Sequence, residues 1–419
     1  MTFLFTSALL IPLAWAVLNG PHLALCEIAG GLAALAWLAA RGQLLALVRL
    51  GPFLAAGLAY AAIGYFASQR NEAVMFPYQM EILLLFYGLP AGLCLRRLAQ
   101  KGGANAVAFA LVAFTLAMTA ISLVILRMPE VQRITGEMSG TFQRTNGEYE
   151  EVIVYLRFFK ISNIIIGVIP FTLFALATLP AAVTARNFAL RLFIWCSVAL
   201  ATFANVLIAT RTALLAAAAS SALVLAFAVP RLPVRRWFSF AVTAAVAVAA
   251  LGLYFARSPG RFEYLLDRFA EAGSDGRLVI WREAWELLQR FPNGQVLGRL
   301  QTHSWAHNLF LDVGLTYGWT AIVAVLAMFG CAFYFAAKAV WTEKFFHSAP
   351  NVLLLGWLLA TCLAGMIQPP QPVFLSLLHV AVGFFAPLRS ARQPAPRAPQ
   401  KSRRLRPAAA WRPAEAFSS

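Results

Sequence analysis

Apolar residues follow one another along most of this chain in long runs, which short polar connections interrupt. Each run approaches the roughly twenty residues with which an α-helix crosses the hydrocarbon core of a bilayer. The short alternating segments of a membrane β-barrel do not occur in this pattern. The sequence therefore predicts about twelve membrane-spanning helices, at residues 3–18, 22–40, 51–67, 74–95, 104–126, 161–183, 188–209, 212–229, 237–255, 319–340, 352–366 and 373–388.

The composition supports the same interpretation. Of the 419 residues, 61% are hydrophobic and 12% are charged, and the mean hydropathy is +0.72. These values lie outside the range of soluble globular domains, so we predict an all-α polytopic membrane protein. The stretch Ala14 to Ala16 resembles a signal-peptide cleavage site, but no basic residue precedes the first run, so we expect a membrane helix there.

The basic residues predict the orientation of the chain. The formal net charge is +17, but Lys and Arg are scattered over short connections and a tail, which favours membrane topology over nucleic-acid binding. By the positive-inside bias, both termini are expected in the cytoplasm, and the connections 127–160 and 256–318 are expected outside. The residues that predict the cytoplasmic side are Arg41, Arg49, Arg96, Arg97, Lys101, Arg186, Arg191, Arg231, Arg235, Arg236, Lys338 and Lys344.

Four segments follow from this topology. Residues 1–255 form spans one to nine, residues 256–318 a large helical outward loop, residues 319–388 the last three spans, and residues 389–419 a tail. The tail has five prolines and eight Lys or Arg against one acid, so it is predicted to be disordered and to contact anionic lipids. The five cysteines all lie in apolar runs, so neither a disulfide framework nor a thiolate metal site is predicted.

The outward loop contains a predicted amphipathic helix. Ser274 or Asp275 can cap it, and residues 292–294, a Pro-Asn-Gly sequence, are expected to end it. Arg277 lies four residues before Trp281, on the same stripe of this helix. Two interpretations stay open: Arg277 contacts an anionic headgroup or substrate, or it pairs with an acid such as Asp275 or snorkels.

A second feature of the loop is a histidine before a long apolar stretch. Residues 309–340 would extend about 48 Å as one helix, which exceeds the roughly 30 Å hydrocarbon core. We therefore expect a break near Gly314 or Gly318, with His307 on a short interfacial helix or turn. This pair of glycines would also let another helix, or a lipid, approach closely.

His303 and His307 have a spacing that suits one metal ion, but neither a carboxylate nor a third histidine lies near them in sequence. No metal site is therefore predicted. A histidine at the membrane surface is either structural or a base that deprotonates a hydroxyl, since its pKa lies near ambient pH.

Four further charged residues lie in or beside apolar runs. Arg211 stands between two runs with almost no loop, and a charge there is costly unless it is paired or functional, so we expect it to face the bundle interior at the outer boundary. Arg157 and Lys160 are expected at similar depth and would add to an outward-facing anion pocket. Glu81, inside the fourth run, either balances such a pocket or pairs with an arginine.

These residues together resemble the O-antigen ligase and polymerase superfamily of bacterial envelope glycosyltransferases, most closely the ligases. In that family an arginine opens a late span, a periplasmic loop carries Gly-Arg, an aromatic-rich helix and a Pro-x-Gly turn, and His-Asn leads to a glycine pair. A departure is Thr320 or Ala321, where a second glycine often follows. The matching residues here are Arg211, Gly276, Arg277, Trp281, Pro292, Gly294, His307, Asn308, Gly314 and Gly318.

The resemblance implies a glycan donor on undecaprenyl pyrophosphate, used at the periplasmic face of the bacterial inner membrane without a nucleotide sugar, cofactor or required metal. Arginine suits the pyrophosphate, because its guanidinium stays charged and offers bidentate donors. His307 would accept the proton of the acceptor hydroxyl in one inverting step. Asn308 would orient this histidine or cap its helix. The expected substrate-binding residues are Arg211, Arg277, Asn308, Arg157, Lys160, Trp281 and His303.

The acceptor implied by the family is lipid A core oligosaccharide, the growing glycan or a protein side chain. We favour the lipid A core ligase, because the chain is compact and lacks the extra soluble domain of several protein-glycosylating relatives. An O-antigen or exopolysaccharide polymerase is the alternative. A transporter or flippase usually shows repeated halves and polar residues at the midplane, whereas the polar candidates here gather at the outer boundary.

Overall fold

The computed structural model describes residues 1–17, 23–69, 78–126, 153–156, 159–162, 172–207, 211–257, 266, 277–296, 299–300, 306–342, 345–367 and 372–386. Helices dominate these residues, because long apolar runs leave the backbone no partner except itself. The helices are α1 Thr2–Val17, α2 Leu23–Ala40, α3 Leu45–Val48, α4 Gly51–Ser68, α5 Tyr78–Leu98, α6 Ala104–Leu126, α7 Ala181–Thr184, α8 Phe188–Leu207, α9 Arg211–Ala228, α10 Val234–Ala256, α11 Arg277–Arg290, α12 Leu309–Tyr317, α13 Trp319–Val340, α14 Ala349–Gly365 and α15 Pro372–Phe385.

The predicted helical fold is confirmed in the described bundle. Helices occupy the predicted runs within a few residues at each end, except for the run at residues 161–183. Strand β2, Phe159–Ser162, enters the start of that run and pairs antiparallel with β1, Ile153–Leu156. This short hairpin departs from the all-α expectation because β-branched and aromatic residues are frequent there, namely Ile153, Val154, Tyr155, Phe159 and Ile161, a composition that favours strands.

Five helical segments among the described residues are long and apolar enough to cross a membrane. Shorter apolar helices lie at Thr2–Leu13, Ala24–Ala40, Thr172–Thr184, Ala349–Gly365 and Leu375–Phe385. These helices support a membrane protein, while the twelve spans and the periplasmic side of the loop stay predictions. The predicted tail at residues 389–419 lies outside the described residues. The five segments are Gly51–Ser68, Glu81–Val124, Phe188–Val206, Arg211–Arg231 and Trp319–Val340.

Helix α5 packs closely against α15 at the centre of the bundle. A Cβ atom on Gly92 would overlap the backbone of α15, so glycine lets the two helices approach. Glu81 of α5 and His379 of α15 form a fully buried pair, with Oε1 and Nε2 2.9 Å apart. The expected arginine partner of Glu81 is therefore wrong, because the packing of α5 on α15 brings a histidine to it, while the alternative that Glu81 balances an anion pocket stays a prediction.

Candidate functional site

Helix α11 packs against other elements through a small cluster of buried apolar residues. Its buried residues Ile280, Ala284 and Leu288 recur every four positions, so they form one face of the helix. They pack in a cluster that includes Ala306 and Leu315. The helix that the sequence predicts in this loop is therefore confirmed. Its buried face packs against the residues on either side of His307 in sequence.

The turn that ends α11 lies at residues 291–294, as predicted. The backbone N–H of Gly294 donates to the carbonyl of Phe291 at 3.0 Å, and Gly294 has a φ of 76°, a left-handed value that favours glycine. Pro292 has no backbone donor and cannot continue the helix. Ser274 and Asp275, the predicted caps at the other end of α11, lie outside the described residues.

The predicted break in the long apolar stretch is confirmed at Gly318. This residue separates α12 from α13 and has φ 87° and ψ −177°, a region that is essentially restricted to glycine. A Cβ atom at this position would lie 2.5 Å from the carbonyl oxygen of Pro292. The backbone N–H of Trp319 donates to that same oxygen at 3.0 Å. The break therefore forms where the α11 turn touches the backbone of the next helix.

The chain after the turn also covers the C-terminal end of α12. The N–H groups of Gln295 and Val296 donate to the carbonyls of Thr316 and Leu315 at 3.1 and 2.8 Å. Such carbonyls at a helix end otherwise lack partners. The Pro-Asn-Gly turn and the glycine break, which are distant in sequence, therefore form one structural unit.

Gly314 provides the close helix approach that its sequence position predicts. A Cβ atom there would lie 2.5 Å from Ile322 Cδ1 and 3.0 Å from Leu288 Cδ1. The neighbours are thus side chains of α13 and α11. Of the two predicted occupants, a helix or a lipid, the structure places a helix at Gly314.

His307 lies immediately before α12 in an unusual backbone conformation. Its φ is 54°, in the left-handed region, which costs a non-glycine residue about 1–3 kcal/mol. Its side chain is half-buried. Such a conformation persists only when surrounding contacts hold it, so the contacts of residues 306 and 308 decide where the imidazole lies.

Asn308 is the N-cap of α12. Capping this helix is one of the two roles that the sequence predicts for it. Its Oδ1 accepts hydrogen bonds from the N–H groups of Phe310 and Leu311 at 3.0 and 3.2 Å. Its Nδ2 donates to the carbonyl oxygen of Met366, just beyond α14, at 2.9 Å. The amide therefore caps one helix and fastens it to the end of another, and a substrate contact for Asn308 stays a prediction.

Asp312 is a site residue that the sequence reasoning missed. The residue is fully buried, and its carboxylate accepts hydrogen bonds from the N–H groups of Ala306, at 2.6 Å, and Asn308, at 3.1 Å. Burial raises the pKa of Asp312 to about 7, although both hydrogen bonds oppose the shift. The available signal was an acid in the first turn of an apolar helix, close after a candidate N-cap.

Trp281 connects α11 to the same loop. Its indole N–H donates to the carbonyl oxygen of Ala306 at 2.9 Å. One turn later, Trp285 meets Trp319 edge to face, with ring centroids 5.1 Å apart, and the Trp319 indole donates to Leu288 at 3.3 Å. The tryptophans therefore hold α11 against α12 and α13, and the predicted substrate contact of Trp281 would involve its ring.

The predicted anion-binding arginines lie at the N-terminal ends of helices. Helix α9 begins at Arg211 and α11 begins at Arg277, and both side chains are half-buried. Helix α9 packs on α14, whose end Asn308 contacts. Arg157 and His303 lie outside the described residues, and Lys160 lies in β2, where only its backbone is described.

The described residues contain no group of three or more His, Cys, Asp or Glu arranged to hold a metal ion. This search does not reach His303, so the predicted absence of a metal stays a prediction. Hydrogen bonds bring Trp281, Asn308 and Asp312 together around the loop of His307, while a pocket shared with Arg211 and Arg277 stays a prediction.

Stability should depend on pH through Asp312. Because folding raises its pKa from 3.8 to about 7, the folded state binds this proton more tightly, and the resulting stabilisation is lost as the pH rises through 7. Asp312→Asn does not titrate. We expect the difference in thermal midpoint, wild type minus variant, to decrease between about pH 5 and pH 8. A difference that grows over this range would contradict the raised pKa.

Comparison with known proteins identifies one segment. Residues 196–326 match the family model described as O-Antigen ligase. This segment runs from α8 into α13 and contains Arg211, Arg277, His307 and Gly318. A search of curated proteins found no match. The resemblance to the O-antigen ligase and polymerase superfamily is therefore confirmed over the segment that carries its motifs.

Proposed function

We propose that this chain, whose residues 196–326 belong to the O-antigen ligase family, transfers a glycan from undecaprenyl pyrophosphate to lipid A core oligosaccharide. The transfer takes place at the periplasmic face of the bacterial inner membrane. The family match supports a glycosyltransferase, and the observation that carries the catalytic proposal is the loop around His307. There His307 has a half-buried imidazole and a left-handed backbone conformation. Hydrogen bonds join its two neighbouring residues to α11, to α12 and to the end of α14.

The reaction is a single inverting displacement. The acceptor hydroxyl oxygen attacks the anomeric carbon, the bond from that carbon to the pyrophosphate oxygen breaks, and the hydroxyl proton passes to His307. The leaving group is undecaprenyl pyrophosphate, whose bonding electrons stay on its oxygen. The reaction thus needs a neutral base at the hydroxyl and fixed positive charge at the pyrophosphate. It requires neither a metal ion nor a cofactor.

Arg211 and Arg277 supply that positive charge. A guanidinium keeps its charge at any physiological pH and binds phosphate oxygens with two parallel N–H donors. Because each of these arginines lies at the N-terminal end of a helix, the helix dipole there also favours an anion. Arg157 and Lys160 assist in the same pocket, while Trp281 and His303 complete the substrate-binding set.

A reconstituted assay tests this function. The purified chain in lipid nanodiscs is mixed with lipid-linked donor and with lipid A core acceptor, and glycosylated acceptor and free undecaprenyl pyrophosphate are measured. Equal amounts of both products are expected. A chain that elongates the donor glycan instead would be a polymerase, and one that only moves the donor across the bilayer would be a flippase.

A deletion strain separates the two transferases in the cell. Loss of long glycan from lipid A, with lipid-linked polymer accumulating, is the outcome expected for a ligase. Lipid A that carries single glycan repeats would identify a polymerase. The distinction rests on the acceptor, because both reactions would use the same donor and therefore the same arginines.

Arg211→Lys should lower transfer while the charge is kept. Lysine loses the planar fork, and loss of one charge-assisted hydrogen bond corresponds to roughly a 10- to 100-fold decrease in kcat/KM for the donor. The matched control is Arg282→Lys, an exposed arginine on α11, which should keep wild-type kinetics. Near-normal kcat/KM in Arg211→Lys would contradict bidentate contact with the pyrophosphate.

A further inference from the structure

The two backbone N–H groups on either side of His307 both donate to one buried carboxylate. Asp312 Oδ1 accepts from Ala306 at 2.6 Å and its Oδ2 accepts from Asn308 at 3.1 Å. Asp312 has no exposed surface, and burying a carboxylate is costly unless hydrogen bonds compensate it. Both oxygens are therefore engaged by the residues before and after His307.

Helix capping alone does not explain this carboxylate. The amides of the first turn, at Phe310 and Leu311, already have a partner in the Asn308 side chain. The bond from Asn308 N–H to Asp312 resembles a capping box shifted by one residue. The bond from Ala306 N–H lies outside α12 and outside any capping pattern, so it acts on the loop and not on the helix.

Helix α11 and the residue that follows α14 also contact the same two residues. The carbonyl of Ala306 accepts from Trp281 of α11, and the side chain of Asn308 donates to Met366 beyond α14. These contacts fix the peptides before and after His307, whose φ of 54° would otherwise relax to a more common value. Among the described residues, Asp312 accepts hydrogen bonds from the backbone of both neighbours of His307.

We propose that Asp312 is the positioning residue of His307, with its carboxyl oxygens holding the left-handed backbone that aims the imidazole at the acceptor hydroxyl. This inference rests on the proposed function, in which His307 is the base. Asp312 would act through the backbone of Ala306 and Asn308. Its effect would be to keep the base within reach of the proton, since a displacement of about 1 Å can cost on the order of 100-fold in rate.

The variant Asp312→Asn tests this role with almost no change in volume. Asparagine offers one acceptor oxygen, and its NH₂ group faces the second N–H without accepting from it. We expect kcat to decrease about 10- to 100-fold, while KM and the dissociation constant for the lipid-linked donor stay unchanged. The assay uses the full chain in nanodiscs and measures donor binding separately from turnover.

Thr316→Val provides the matched control. Thr316 is a buried polar residue of the same helix, and its hydroxyl donates to the Asp312 carbonyl at 2.7 Å, so this variant removes a buried hydrogen bond without altering the carboxylate. Its kcat should stay near wild type. A comparable loss of kcat in Thr316→Val would show that any damage to α12 suffices and would overturn the positioning role.

Two further outcomes would also overturn the proposal. Unchanged kcat in Asp312→Asn would show that catalysis by His307 does not depend on the Asp312 carboxylate. A variant that loses donor affinity together with kcat, or that does not fold, would assign Asp312 to the fold of the loop. Failure of the proposed function is distinguishable, because the wild-type chain would then transfer no glycan to lipid A core, and failure of the base assignment would appear as full activity in His307→Ala.

Discussion

His307→Ala is expected to abolish glycan transfer while donor binding survives. In the proposed reaction the imidazole accepts the proton of the attacking hydroxyl, and removal of a general base typically lowers the rate by about 10²- to 10⁴-fold. The arginines that hold the pyrophosphate are untouched, so the dissociation constant of the lipid-linked donor should not change. Transfer is measured in nanodiscs as glycosylated acceptor, and binding is measured without acceptor.

His347→Ala is the control for this prediction. His347 is an exposed residue of the 3₁₀ turn Phe345–His347, on the side of the bundle predicted to face the cytoplasm, and its loss should leave transfer unchanged. Full activity in His307→Ala would reject the assignment of the general base. Loss of donor binding together with activity would instead make His307 a binding residue.

Gly318→Ala should destabilise the protein and reduce transfer with it. A Cβ atom would lie 2.5 Å from the Pro292 carbonyl oxygen and 2.7 Å from the Asn293 carbonyl carbon, on a backbone with φ 87°. The neighbouring atoms are backbone and cannot rotate away, so strain and overlap together should cost on the order of 3 kcal/mol. The measurement is the thermal midpoint in detergent, with transfer recorded on the same preparation.

Gly330→Ala, within α13, is the matched control. A Cβ atom there meets nothing within 4 Å, and alanine favours a helix over glycine by about 1 kcal/mol. Its thermal midpoint should stay the same or rise slightly. If Gly318→Ala were as stable as Gly330→Ala, the docking of the α11 turn on the helix break would not be required for the fold.

Much of the fold could be predicted because hydrophobic runs and turn residues act locally. The break near Gly314 or Gly318 followed from a comparison of the apolar stretch with the bilayer thickness, and the structure places it at Gly318. The end of α11 followed from Pro292 and Gly294, which cannot continue a helix easily. The β1–β2 hairpin was missed, because its short strands lie beside a long apolar run that dominated the pattern.

The sequence predicted most residues of the candidate site but not which atoms they contact. The cap at Asn308 was anticipated, because an asparagine before an apolar helix is a local signal. Asp312 was overlooked because an acid in the first turn of an apolar helix does not by itself indicate which backbone N–H groups bind it. Trp281 was assigned to substrate, but its indole N–H binds Ala306, a partner 25 residues away that helical periodicity cannot reveal.

The sequence by itself determined the class of protein, most of the helical segments, a break near Gly314 or Gly318 and the residues that carry the family motifs, because hydropathy and backbone preferences depend on neighbouring residues. Only the tertiary structure decided that the α11 turn docks on Gly318, that Asp312 holds both neighbours of His307, and that Glu81 pairs with His379. The turn and the Glu81 pair join residues distant in the chain, and Asp312 acts through a loop whose path is set by packing between helices.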